Sequence, residues 1–168
     1  MTISIRSERP SDLPAIEALI AAAFRDAPHS SHTEQFIVNA LRRAGQLSIS
    51  LVAAEAEDIV GHVAISPVSV SDGSKGWYGL GPVAVAPACQ GRKTGTRLVE
   101  QALLKLRGLR ACGCVVLGEP QYYGRFGFKA FPGLAFPGVA PMYFQAIVFE
   151  GDMPSGVVSY HEAFDARQ

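Results

Sequence analysis

The sequence predicts an α/β chain built on a mixed sheet, with helices packed on its faces. Three observations carry that expectation. The hydrophobic period switches repeatedly between about two and about 3.6 residues, so strands and helices interleave. A three-strand meander over residues 47–85 is followed by a helix and another strand, which joins an antiparallel sheet to a parallel crossover. No internal repeat and no long linker divides the 168 residues, so a single domain over residues 1–168 is expected.

Each element has its own local reason. Residues 2–7 alternate Ile3 and Ile5 with polar neighbours and predict a first strand. Ser11 or Asp12 is placed to cap a helix that tolerates Pro14 in its first turn, with Ile16, Leu19, Ile20, Ala23 and Phe24 at helical spacing. Residues 26–32 read as a loop. A second helix follows, with Phe36, Ile37, Ala40 and Leu41 as its inner face and Gly45 just past its end. Residues 47–54 and 59–70 predict two strands joined by a short acidic turn, and Trp77–Val85 a third. Residues 92–107 carry Leu98, Ala102, Leu103 and Leu106 on one side of a helix. A short buried strand is expected at 114–117, a short helix or turn at 120–125, a strand near Phe128, and a last clear strand at 143–150.

Composition narrows the function classes. Hydrophobic residues make up 48% and charged residues 18%, with a formal net charge of zero, which excludes a disordered chain. An overall basic surplus is absent, so binding nucleic acid by phosphate neutralisation is not expected. Residues 1–10 lack the apolar run of a signal peptide, and the apolar stretch 131–144 is short and broken by Pro132, Pro137 and Pro141. A cytoplasmic protein without membrane association is the expectation. The three cysteines, Cys89, Cys112 and Cys114, then read as free thiols, and a Cys-x-Cys pair without partner clusters gives no metal site.

Glycine and positive charge are unevenly spread. Thirteen of the 17 glycines lie between Gly73 and Gly138. Residues 92–129 hold eight Lys/Arg against Glu100 and Glu119, a surplus of +6 inside a neutral chain. The densest part, QGRKTGTR at residues 90–97, joins a strand to a helix. A helix N-terminus offers unpaired N–H groups and partial positive charge, and glycines admit an anion close to the backbone. That pattern describes either a phosphate cradle or a solvated basic turn that starts a helix. The GRKT string does not satisfy the nucleotide-binding P-loop pattern, and no dinucleotide fingerprint is present, which argues against a nucleotide-binding protein.

Residues 80–95, LGPVAVAPACQGRKTG, resemble the acetyl-coenzyme A motif of the GNAT N-acyltransferase superfamily: a V-x-V-x-P strand end, then Q/R-x-x-G-x-G/A opening a helix. Residues 119–128, EPQYYGRFGF, resemble that family's tyrosine-then-glycine-phenylalanine segment. The RFGF form and the ending YHEAF at 160–164 resemble a bacterial subgroup of predicted acetyltransferases. The resemblance spans essentially the whole chain. One departure stands out: Lys93 occupies the first motif glycine, where a positive φ would strain it.

The resemblance implies the GNAT fold, with the central mixed sheet splayed between its fourth and fifth strands. It implies acetyl-CoA as cosubstrate and a primary amine as acceptor, joined in a ternary complex. Val83, Ala84 and Val85 would line the pantetheine arm, the first and last binding it through their backbones. Gln90, Gly91, Arg92, Lys93, Thr94, Gly95 and Thr96 would form the pyrophosphate loop. Tyr123 matches the general acid that protonates the leaving thiolate, and it also borders the cofactor. Its alternative is packing beside Phe126 and Phe128, and Tyr122 reads as packing. Glu119 is a weak base candidate beside the expected cleft. His62 reads as structural, and His29 and His32 as solvated loop residues. His161 and Glu162 have no assigned role. No nucleophile-elbow context indicates covalent catalysis. The alternative function is a non-catalytic acyl-CoA binding or sensing module on the same fold. A homodimer is an open outcome, dimers being common in that superfamily.

Overall fold

The computed structural model describes residues 2–28 and 30–168. His29 of the expected 26–32 loop lies outside the described residues. Chain order is β1 (Ile3–Ser7), a 3-10 turn (Pro10–Asp12), α1 (Leu13–Phe24), α2 (Glu34–Arg43), β2 (Ile49–Glu55), β3 (Asp58–Val70), β4 (Trp77–Val85), α3 (Thr94–Gly108), β5 (Gly113–Leu117), α4 (Pro120–Gly124), β6 (Leu134–Ala135), β7 (Phe144–Val148) and β8 (Gly156–Tyr160). The sheet runs β1-β2-β3-β4-β5-β7, antiparallel except for the parallel β4–β5 pair, while β8 continues from the far end of β3 and pairs with β6.

Alternation along the central strands loads both faces of this sheet. Leu51, Ala53, Val63 and Ile65 pack on α3 through Leu98, Ala102 and Leu106. Val52, Ala64 and Ala84 turn to the opposite face, against Ile16, Ile20 and Val38 of α1 and α2. Helices therefore cover both faces, because successive side chains of a strand point oppositely. Aromatic residues fill the end near β8, where Phe136 lies 5.5 Å from Phe144 and 5.3 Å from Tyr160 between ring centroids.

Several expectations shift, each for a local reason. Asp12 precedes α1 but does not cap it. Its carboxylate accepts from Arg6 Nη1 and Nη2 at 2.7 and 3.1 Å and from the Arg9 N–H at 2.7 Å, tying β1 to the turn. Arg6 holds the Asp12 carboxyl below the usual carboxylate range despite burial. On α2, Val38 joins Ile37 and Leu41 in the buried face, whereas Phe36 and Ala40 are only half-buried. Helix α3 starts at Thr94 rather than residue 92, because Lys93 is left-handed. No strand forms at Phe128; the segment makes a single bridge, Lys129 to Ala146. The strands β6 and β8 are additions to the expected order.

The feature that positions the site is a break between β4 and β5. They pair from Trp77–Gly113 to Leu80–Val116 and no further. There β4 carries one extra residue against β3, between Leu80 and Val83. The bulge falls at Gly81–Pro82, and Pro82 has no N–H to give a neighbour. Beyond it β4 stays paired only to β3, through Val83–Val63, Ala84–His62 and Val85–Gly61. Strand β5 meanwhile ends at Leu117 and the chain turns into α4. The two strands diverge and leave a cleft with one open strand edge.

Candidate active site

Backbone direction along that edge follows from one bond. The Ala86 N–H donates to the Val60 carbonyl, 2.8 Å away. By the period-two alternation of an antiparallel ladder, Ala84 also faces β3, and the N–H and C=O groups of Val83 and Val85 face the cleft. The Val85 carbonyl accordingly accepts from the Gln90 side-chain Nε2 at 3.2 Å. An open edge of this kind is a template for an extended ligand that pairs like an added strand.

The loop 90–93 leads from this edge into α3. Gly91 has φ 83° and Lys93 φ 63°, so the chain turns back on itself before the helix starts. The first N–H groups of α3 have no intrahelical acceptors, and their residues border a cavity of about 300 Å³. Lys93, Thr94, Gly95, Thr96, Tyr122 and Arg125 border it, with Gln90, Gly91 and Val85. Thr94 is 1% exposed, and its Oγ1 has no hydrogen-bond partner. A buried unpartnered hydroxyl is costly unless a ligand meets it. Arg125 stacks over the Tyr122 ring at 4.8 Å and adds a second cation to the rim. Arg92 is placed differently: its guanidinium reaches Glu55 Oε2 at 3.3 Å, exposed, and it does not border the cavity. Its contact with Cys89, and then the Glu55 pairing, raise the Arg92 pKa.

A second cavity, about 390 Å³, opens at the other end of the splay. Leu80, Gly81, Pro82 and Val83 of β4 form one wall, and Leu117 and Tyr123 another. Phe24 of α1, Glu34 and Ile37 of α2, and Tyr160 and Phe164 near the C-terminus complete it. Tyr123 is held by ring contacts to Tyr122 and Phe128, 4.9 and 6.0 Å between centroids. Gly118 lies flat against this ring, and a methyl group there would overlap it. Burial pushes the Tyr123 phenol up to about 12, with Tyr122 and Cys114 adding to the rise. The phenol therefore keeps its proton at neutral pH and is available as a donor.

The remaining candidates fall elsewhere. Glu119 is exposed at the N-cap of α4 and borders neither cavity. His62 is fully buried on β3, with Nε2 2.8 Å from Ser50 Oγ, which in turn donates to Glu8, itself paired with Arg42. Burial pushes His62 down to about 4, so it is neutral. His32 is exposed. His161 accepts the Ala163 N–H at Nδ1, 3.0 Å away, and so caps the turn that carries Phe164. Cys89, Cys112 and Cys114 are unpaired. Among the described residues no group of three or more His, Cys, Asp or Glu side chains gathers as a metal site, and no helix is long and apolar enough to cross a membrane. Glu34 had no sequence signal of its own, and Arg125 was marked only as part of the RFGF string and the basic window; the tertiary fold brings each to its cavity.

A larger depression, about 590 Å³, is fringed by Glu8, Arg42 and Lys105 at the far end of α3. It lies at the C-terminal end of α3, the negative end of the helix dipole and away from the open β4 edge, so the cleft remains the site of interest.

Comparison with known proteins agrees with this geometry. Residues 46–130 match the family model for the acetyltransferase (GNAT) domain. The Escherichia coli (strain K12) protein named "Uncharacterized N-acetyltransferase YhbS" is 36% identical over 169 residues, which cover 96% of this chain and 98% of YhbS. This chain belongs to the GNAT acetyltransferase family. Among solved GNAT structures, an acetyltransferase from Brucella melitensis in complex with acetyl-CoA is 48% identical, with a TM-score of 0.88 over 98% of this chain and 99% of that one. The Escherichia coli YhbS structure in complex with CoA is 34% identical, with a TM-score of 0.88 over 97% of this chain and 92% of that one. The mixed sheet, its splay and the covering helices are thus those of a GNAT acetyltransferase, and CoA compounds are bound by its structural neighbours.

Proposed function

We propose that this GNAT chain transfers an acetyl group from acetyl-CoA to a primary amine by direct attack in a ternary complex. The observation that carries the reading is the open β4 edge. It runs from the anion-ready start of α3 to the cavity that holds Tyr123.

Each part then has a task. The N–H groups of residues 94–96, with Thr94 Oγ1, Lys93 and Arg125, receive the pyrophosphate. The backbones of Val83 and Val85 pair with the pantetheine arm, displacing the Gln90 amide from the Val85 carbonyl. An N–H on that edge orients the thioester carbonyl and stabilises its developing negative charge. The neutral amine attacks the carbonyl carbon, forming the C–N bond. The C–S bond then breaks, and the thiolate takes the Tyr123 phenolic proton. The amine nitrogen sheds one proton to solvent and Tyr123 takes one back, so the net products are amide and free thiol. Holding both reactants in one cleft supplies the proximity term.

Tyr123→Phe tests the assignment by removing the proton donor and keeping the ring contacts. General-acid loss is worth about 10²–10⁴-fold. Steady-state kinetics should show kcat reduced within that range, with acetyl-CoA affinity nearly intact. Unchanged turnover would leave Tyr123 a packing residue. Acetyl-CoA binding without turnover of any amine by the unaltered chain would favour the sensing module.

A further inference from the structure

The acceptor cavity carries a chemical signature of its own. Among the described residues that line it, Glu34 is the sole charged side chain. No lysine, arginine or histidine faces it from β4, α1, α4 or β8 among those residues. Phe24, Tyr160 and Phe164, with Ile37 and Leu117, make much of the remaining lining aromatic or aliphatic. Tyr160 and Phe164 meet edge to face at 4.8 Å.

Glu34 is also fixed in place. It is the first residue of α2, where the helix dipole favours a carboxylate. Ser30 Oγ lies 2.8 and 2.7 Å from its two oxygens and donates to them. A carboxylate has about four acceptor positions, so the Ser30 hydroxyl uses only part of that capacity. An anion among aromatic walls, without a cationic partner among the described residues, is an arrangement for holding a cation, through charge and through the ring faces.

Resting on the acetyl-transfer reading above, we propose that the acceptor is a primary amine with an apolar, ring-bearing body and no carboxylate, and that Glu34 receives its ammonium group. A carboxylate on the acceptor would sit unpaired in an apolar cavity beside Glu34, which like-charge repulsion and desolvation both oppose. A hydrophilic diamine would satisfy Glu34 but leave the aromatic walls without apolar contact. Glu34 thus acts as a specificity residue: it receives the amine as the ammonium ion, the nitrogen loses one proton to solvent before it attacks as the neutral amine, and from the ammonium form the net products are amide, free thiol and one proton.

The decisive comparison uses 2-phenylethylamine and L-phenylalanine, which differ only by a carboxylate, with putrescine as the hydrophilic diamine. Acetyl-CoA binding is measured first by calorimetry. With binding established, phenylethylamine should be acetylated with kcat/KM at least tenfold above both others. Glu34→Gln should raise its KM at least tenfold at nearly constant kcat, with acetyl-CoA affinity unchanged, and Glu34→Asp should recover part of the loss. Calorimetric titration of phenylethylamine into the CoA-loaded protein should show the same order without relying on turnover. Equal or better use of phenylalanine or putrescine, an unchanged KM in Glu34→Gln, or no binding and no turnover of phenylethylamine each overturns the inference. In those cases acetyl-CoA binding still stands. Failure to bind acetyl-CoA at all removes the underlying reading and the inference with it.

Discussion

Lys93 offers a perturbation whose two consequences have opposite signs. It sits at φ 63° and ψ 16°, immediately before α3. For a residue with a Cβ the left-handed conformation costs roughly 1–2 kcal/mol. Glycine adopts it without strain but loses more freedom on folding, roughly 0.5–1 kcal/mol. The difference leaves Lys93→Gly more stable by about 0.5–1 kcal/mol, a rise in Tm of about 1–4 °C for a chain of this size. The same change removes an exposed charge from the rim of the cradle. An exposed ion pair is worth up to about 1 kcal/mol, so acetyl-CoA affinity should fall by no more than about fivefold. Lys93→Ala separates the effects, since it loses the charge and keeps the strain. Thermal unfolding of the ligand-free variants and calorimetry with acetyl-CoA read the two quantities. A Lys93→Gly protein that melts at or below the unaltered chain would refute the strain argument. So would an equal Tm rise in Lys93→Ala.

Two further predictions concern a buried histidine and the glycine behind the Tyr123 ring. His62 is held near 4 by burial, below its ordinary value of 6.5, so the unfolded chain binds a proton that the folded chain refuses. Its stabilising contribution is full above about pH 6.5 and is lost as pH falls toward 4, by about 2 kcal/mol between pH 7 and pH 5. Urea unfolding at those two pH values should show that loss, and His62→Gln should remove most of it; a flat profile for the unaltered chain contradicts the assignment. Gly118→Ala places a methyl group into the Tyr123 ring. It should lower kcat at least tenfold while changing acetyl-CoA affinity little, and an unaltered kcat would mean that the ring position does not matter to the reaction.

What the sequence made legible was mostly local. The strand Trp77–Val85 could be read with its observed bounds because its turn residues and its apolar run are contiguous. The 90–97 loop and Tyr123 were marked by glycine spacing and short motifs. Properties that depend on distant partners were less visible. The strand β8 has an unobtrusive sequence and gains its place from the ends of β3 and β6. The carboxylate of Asp12 looked like a helix cap until Arg6 of β1 came within reach. Arg92 and Arg125 carry the same charge, yet Glu55 draws the first away while Tyr122 supports the second beside the cradle. Glu34 carries no motif; only the packing of α1, α2 and the C-terminal turn places it in a cavity with aromatic residues.

The central claim is that the open β4 edge and the start of α3 receive acetyl-CoA. Isothermal calorimetry with acetyl-CoA tests it most directly. The account predicts one molecule bound per chain, with a dissociation constant in the micromolar range. Absence of binding for both acetyl-CoA and CoA would contradict it.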